Sequence, residues 1–223
     1  MAKAYVGGGT EYDEQNIGWI EEEAIRRHVA LNMASVVDIG CGIGRLTRLL
    51  LDCNLKAYLG IDILDPILYE AKKVAKDHAH FTFANVRNFK VPRLDGSVDV
   101  VCGFSLITHL LDEQAYLYFA ETARVLKPGG LALFSFVDFN HPRHWGLFRE
   151  YCKTEHTGMD LLKFFEKQTL ERFGAELGMP VIEFIDGGTP FDKSGVREKY
   201  PDGRPLPAKV TNGQSMCYMR KSN

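Results

Sequence analysis

The run Val36-Val37-Asp38-Ile39-Gly40-Cys41-Gly42-Ile43-Gly44-Arg45-Leu46 constrains this chain more than any other segment. Apolar residues break on an acid, pass through glycines at alternate positions and open into helical spacing. That pattern is a strand, a tight turn and a helix start, with main chain bare enough for a ligand to lie against it. Asp38 stands where a buried strand carries Val or Ile. An unpaired carboxylate there costs several kcal/mol, so Asp38 requires a partner.

The turn differs from the G-x-G-x-x-G fingerprint that brings a pyrophosphate to a helix N-terminus. Gly40 and Gly42 fit it, but the third glycine, Gly44, falls one residue early and Arg45 takes the expected place. Glycines alone do not decide the ligand.

At 223 residues the chain reads as one domain. A chain of this length buries roughly 70% of its unfolded surface and needs no staples. A net charge of −2 argues against a general nucleic-acid binder. Cys41, Cys53, Cys102, Cys152 and Cys217 are odd in number and never in a C-x-x-C pair, so they read as small core hydrophobes of a reducing compartment. No apolar run approaches a membrane span and no signal-peptide core follows Met1, which points to the cytoplasm.

Strand-like and helix-like segments alternate, the signature of a parallel sheet covered by helices on both faces. A leading helix is expected over 16–31 and strands over 35–39, 57–63, 81–84, 98–102, 131–137, 181–185 and 216–219, the last antiparallel at or near the edge. Asp65 is expected to cap a helix whose first position is Pro66. A helix over 113–126 ends at Lys127-Pro128-Gly129-Gly130, and Thr169 caps another. Asp99 interrupts its strand and reads as structural. Residues 138–160, rich in His, aromatic and basic side chains, show no clear period and read as an insertion over the strand ends. Residues 187–213 read as a long loop.

Taken together, VVDIGCGIGRL, GIDI, FANV, SVDVVCGFSLITHL and RVLKPGGLALFSF resemble the motifs of the class I S-adenosylmethionine (SAM)-dependent methyltransferases over residues 30–186. The leader AYVGGG also looks like a bacterial subgroup that acts on small molecules. The resemblance implies an α/β, doubly wound, mostly parallel seven-stranded sheet with one antiparallel strand. It implies a single domain over 1–223, with an N-terminal lid segment over about 1–30 and substrate-side insertions over about 138–165 and 187–213.

The resemblance also implies where SAM lies. Gly40, Cys41, Gly42 and Gly44 give main-chain approach to its amino acid moiety, and Asp38 favours the cationic amino end. Asp62, with Ile63 beside it, accepts from the ribose hydroxyls; charge-assisted bonds of this kind contribute about 1.5–3 kcal/mol each. Asn85 departs from the family, which usually carries an acid there for the adenine amino group; it is an uncharged acceptor or a plain turn residue. The Val86 N–H is a candidate for the adenine ring. Phe104 and Ser105 leave the fourth strand toward the sulfonium, with Phe104 equally readable as packing. Tyr5 and Tyr12 flank Gly7-Gly8-Gly9, readable as a lid over SAM or as a frayed terminus.

A methyl acceptor that holds its proton needs a base. His109 is the first candidate, or a helix-start histidine satisfied by the backbone; His141 is the second, or part of a solvated loop. His144 and Trp145 are candidates to wall the acceptor pocket, or belong to a solvated loop. No ordered ligand spacing supports a metal site. Lys193, Arg197, Lys199, Arg204 and Lys209 either greet an anionic acceptor or form a charged surface loop. The expected activity is methyl transfer to O or N of a small molecule by a monomer or homodimer. Protein or RNA methylation, a SAM-binding scaffold without chemistry, and a nicotinamide dehydrogenase are the competing readings.

Overall fold

The computed structural model describes residues 11–153, 161–192, 199, 203, 205 and 209–223, with side chains from Gly18 onward except at 192, 209 and 210. In chain order the elements are α1 (Glu11–Arg26), β1 (Ser35–Ile39), α2 (Arg45–Leu50), β2 (Ala57–Asp62), α3 (Asp65–Val74), β3 (Phe81–Asn85), β4 (Val98–Gly103), α4 (Asp112–Val125), β5 (Leu126–Asp138), α5 (Pro142–Tyr151), β6 (Phe164–Phe165), α6 (Lys167–Glu176), β7 (Val181–Ile185), β8 (Pro190–Asp192), β9 (Lys209–Thr211) and β10 (Ser215–Arg220). A 3-10 turn, Ile107–His109, leads from β4 toward α4.

Strand order in the main sheet is β3-β2-β1-β4-β5-β10-β7. β1 pairs in parallel with both β2 and β4, while β10 is antiparallel to β5 and β7. The chain winds outward from β1 to β3, then returns to β4 and winds the other way. The gap beyond the carboxyl ends of β1 and β4 is therefore the switch point where such sheets take ligands.

Alternation along β1 sends Val36 to one face of the sheet and Val37 and Ile39 to the other. The first face is covered by Trp19, Ile20 and Ile25 of α1 and Leu46, Leu49 and Leu50 of α2. The second is covered by Phe119 of α4 and Leu170 of α6. Of the segment read as a lid, residues 1–10, including Tyr5, lie outside the described residues, and the Tyr12 side chain is likewise undescribed. The rest forms α1, whose Trp19, Ile20, Ala24 and Ile25 are fully buried.

Several elements differ from expectation. Leu64, not Asp65, is the N-cap of α3, and the Asp65 carboxylate instead accepts from Asn85 Nδ2 at 2.8 Å. Lys127 to Gly130 do not end in a free turn. They form a bulge inside β5, where pairing jumps from Val98↔Leu126 to Val100↔Leu131. Gly129, at φ +75, permits the kink, and its N–H donates to Lys221 O at 2.9 Å. Within 138–160 a helix, α5, starts at Pro142 behind the N-cap His141; its few apolar residues hide the period. Glu166 rather than Thr169 caps α6. Within 187–213, β8 and β9 pair as antiparallel partners. β10 lies near the edge as expected, antiparallel to β5 and to the edge strand β7, with Met216 to Met219 fully buried. Asp99 is structural as read: it accepts from Ser35 N at 2.9 Å and Lys127 Nζ at 2.6 Å.

Gly44 has φ +89, and a Cβ there would lie 3.2 Å from Ala71 Cα on α3. Gly44→Ala is expected to destabilise the protein by about 1–3 kcal/mol in urea denaturation, through backbone strain and the lost α2–α3 approach.

Candidate functional site

The turn after β1 is pinned from below: Gly40 N and Cys41 N both donate to Ile61 O, at 2.8 and 3.1 Å. A Cβ on Gly40 would lie 3.1 Å from Leu106 Cδ1, so the exit of β4 leans on this turn. Cys41 is buried with its sulfur turned toward Gly60 of β2, and only its main chain faces the turn. Gly42 is different. A Cβ there would meet nothing within 4 Å, so its bare main chain borders open space.

Asp38, 3% exposed, has the partner its burial demands: Oδ2 accepts from the Tyr58 hydroxyl at 2.7 Å. Tyr58 Oη lies 2.8 Å from Thr47 Oγ1 on α2. Burial pushes the Asp38 carboxyl up to about 7, against the lowering effect of the Tyr58 hydrogen bond; the nearby charges of Glu21 and Asp62 raise it further and Arg45 lowers it. Glu21 of α1 is itself buried and pairs with Arg45, the residue standing where the dinucleotide pattern places a glycine.

Asp62 closes the other side. Its Oδ1 accepts from Ile63 N at 2.7 Å and Leu64 N at 3.1 Å, and its Oδ2 from Gly42 N at 3.2 Å. A carboxylate offers about four lone-pair sites, which leaves one on Oδ2 for a further donor. Ile63 beside it is 52% exposed.

Other residues read as cofactor contacts are engaged elsewhere. Asn85 Nδ2 donates to Asp65 Oδ1 and to Ile63 O, and its Oδ1 accepts from Arg87 Nε at 3.3 Å, so it ties β3 to the start of α3. Val86 N–H donates to Asp62 O at 3.0 Å, which removes it as a donor to adenine. Phe104 is 6% exposed and packs in the core. Ser105 has φ +56, an uncommon conformation for a residue with a Cβ; its N–H donates to Ser135 Oγ at 2.7 Å and its carbonyl accepts from Thr108 Oγ1 at 3.0 Å.

On the side where an acceptor would enter, His109 is exposed and its Nδ1 lies 2.9 Å from Leu161 O. A carbonyl only accepts, so Nδ1 carries the proton and the neutral ring keeps its lone pair on Nε2. His144 does not wall a pocket. It is 4% exposed, and its Nδ1 accepts from Asp138 N at 2.9 Å, a shorter contact than the 3.2 Å to Asp138 O. Its Nε2 then carries the proton and donates to Gly213 O at 2.7 Å, stapling α5 to the segment before β10. His141 is the N-cap residue of α5 and its ring meets that of His144 at a tilt, 4.6 Å away, with its Nδ1 buried and unpartnered among the described residues. Trp145, 44% exposed, stacks on Phe148 at 5.1 Å and meets Phe139 edge-on. Of the basic residues in 193–209, only Lys199 has a described side chain, and it is exposed.

Two residues that sequence reasoning passed over complete this side: Ser135 and Gln214, joined at 2.7 Å. Ser135 carried a signal, a lone hydroxyl inside the apolar run Leu131 to Val137. Gln214 carried none.

The Asp38 carboxyl has a sign that can be checked. Its folded value lies above the ordinary 3.8, so the folded protein holds this proton more firmly than the unfolded chain. That contribution to stability is complete below about pH 4 and is lost as pH rises through about 7. Urea midpoints taken from pH 5 to pH 8 are expected to fall in the native protein and to fall less in Asp38→Asn.

Residues 36–130 match the family model described as a methyltransferase domain. A probable SAM-dependent methyltransferase of Mycolicibacterium smegmatis is 32% identical over 127 residues, covering 55% of this chain and 46% of that protein. The chain therefore spans about half the length of that relative. A ubiquinone biosynthesis O-methyltransferase of Nitrosospira multiformis is 28% identical over 78% of this chain and 72% of its own length. Among solved structures, the magnesium protoporphyrin IX methyltransferase of Synechocystis, with S-adenosylhomocysteine (SAH) bound, superposes with a TM-score of 0.67 at 16% identity, covering 99% of this chain and 92% of that one. The glycine turn and Asp62 lie inside the segment that is similar to a methyltransferase domain, and the chain as a whole shares the fold of the SAH-bound Synechocystis methyltransferase.

Proposed function

We propose that this chain moves the methyl group of SAM to an O or N atom of a small-molecule acceptor. One observation carries the reading: the bare main chain of Gly42, bordering open space, with the Asp62 carboxylate 3.2 Å from its N–H at the switch point of the sheet. A nucleoside fits there. The open lone pair of Asp62 Oδ2 receives a ribose hydroxyl, and the uncovered Ile63 side chain lies against the base. Asp38, behind the turn, favours the cationic amino end directly or through water. The main chain leaving β4 at Gly103, Phe104 and Ser105 faces the reactive end. Gly40 and Gly44 support the turn from outside the pocket, against Leu106 and α3. Asn85 and Val86 are held by β3 and α3, so the adenine is read by shape more than by charge.

When bound, SAM supplies a methyl group on a sulfonium that is already a good leaving group. The chain's own contribution is then alignment, worth about 7 kcal/mol or more in well-oriented reactions. His109 takes the acceptor proton on Nε2, the nitrogen that its bond to Leu161 O leaves basic. Trp145 packs with Phe139 and Phe148 into an aromatic cluster, a candidate apolar wall for the acceptor. The O-methyltransferase name of the Nitrosospira relative supports a small oxygen acceptor. Among the described residues no helix is long and apolar enough to cross a membrane. The cysteines described are all free, which supports a cytoplasmic setting.

Incubating the purified protein with methyl-labelled SAM and fractionated cell extract is expected to place label in the small-metabolite fraction. Label in protein or RNA overturns the acceptor class, and no label in any fraction overturns catalysis. Asp62→Ala is expected to weaken SAH binding by at least about tenfold in calorimetry; unchanged affinity overturns the ribose assignment.

A further inference from the structure

We propose that Gln214 and Ser105 form a two-donor rim that selects acceptors carrying a lone-pair oxygen (carbonyl, carboxylate or phenolate) beside the atom methylated. The inference rests on the small-molecule reading above and concerns the same site.

Ser105 N–H donates to Ser135 Oγ at 2.7 Å, so that hydroxyl is an acceptor there. Its own proton goes to Gln214 Oε1 at 2.7 Å. Gln214 Nε2 donates one of its two N–H groups to Ser105 Oγ at 3.1 Å. The ring is closed, and two protons are left over: the Ser105 hydroxyl proton and the second N–H of Gln214. Neither has a partner among the described residues.

The ring is held firmly. Ser135 is fully buried in β5. The Ser105 carbonyl is fixed by Thr108 Oγ1 at 3.0 Å, and the next residue, Leu106, lies against Gly40 of the cofactor turn. Ser105 and Gln214 are both half-buried. Their spare capacity is donor-only at the point where β4 leaves toward the reactive end. A substrate group with lone pairs satisfies both, whereas one that presents only N–H or C–H leaves both unpaired in a dry site, the situation that gives the largest discrimination between substrates.

Gln214→Glu separates this role from a structural one. One carboxylate oxygen still accepts from Ser135, and the Ser105 hydroxyl turns to donate to the other. The ring persists while both spare donors disappear. The labelled product from the extract is identified by mass spectrometry, and its unmethylated form serves as the acceptor. The expected result is a product with an oxygen next to the methylated atom. For Gln214→Glu, KM for that acceptor rises at least about tenfold while kcat changes less than about threefold. SAH affinity and thermal midpoint stay at their native values. A product without such an oxygen, or an unchanged KM in the variant, overturns the inference. So does a parallel loss of SAH affinity, which marks the ring as structural only. No labelled small molecule at all overturns the proposed activity, and this inference with it.

Discussion

The hydrogen bond from the Tyr58 hydroxyl to the buried carboxylate of Asp38 is the interaction on which the rest of the site depends. An acid at the centre of a parallel sheet is tolerable only with a donor in reach. Tyr58, on the neighbouring strand β2, supplies one, and Thr47 of α2 steadies Tyr58 in turn. The contact thus ties together the strand before the glycine turn, the helix after it and the strand that ends in Asp62. Burial keeps Asp38 easily protonated.

The glycines of the turn divide their work. Gly44 exists for the approach of α3, and Gly40 for the approach of Leu106. Only Gly42 faces open space. Arg45, which breaks the dinucleotide pattern, reaches back to Glu21 and so joins α1 to this turn. A pyrophosphate needs uncovered N–H groups at the helix start. Here the turn is crossed instead by a carboxylate, with Asp62 on the Gly42 N–H. That arrangement suits a nucleoside with hydroxyls and a positive charge, and repels a phosphate.

The side of the sheet beyond the exit of β4 is built from segments far apart in the chain. β5 contributes Ser135 and the buried Asp138, and the residues just before β10 contribute Gly213 and Gln214. His144 joins α5 to them through two backbone bonds. Because β10 lies inside the sheet rather than at its edge, the residue just before it, Gln214, is delivered to the same end as the exit of β4.

Much of this was legible in the chain itself. The alternation of strands and helices, the turn at Gly40 to Gly44, the acid Asp62 at a strand end and the need of Asp38 for a partner all follow from local pattern, because each rests on residues close in sequence or on the cost of burying a charge. The sequence by itself determined the fold class and the strand, turn and helix that carry Asp38, Gly42 and Asp62. Tertiary structure alone decided that Tyr58 is the partner of Asp38, that Val86 and Asn85 are already engaged, that His144 is a staple, and that Ser135 and Gln214 meet Ser105. Most of those contacts join residues 20 to 109 positions apart. No period or spacing encodes which buried donor will find which acceptor once the sheet has closed.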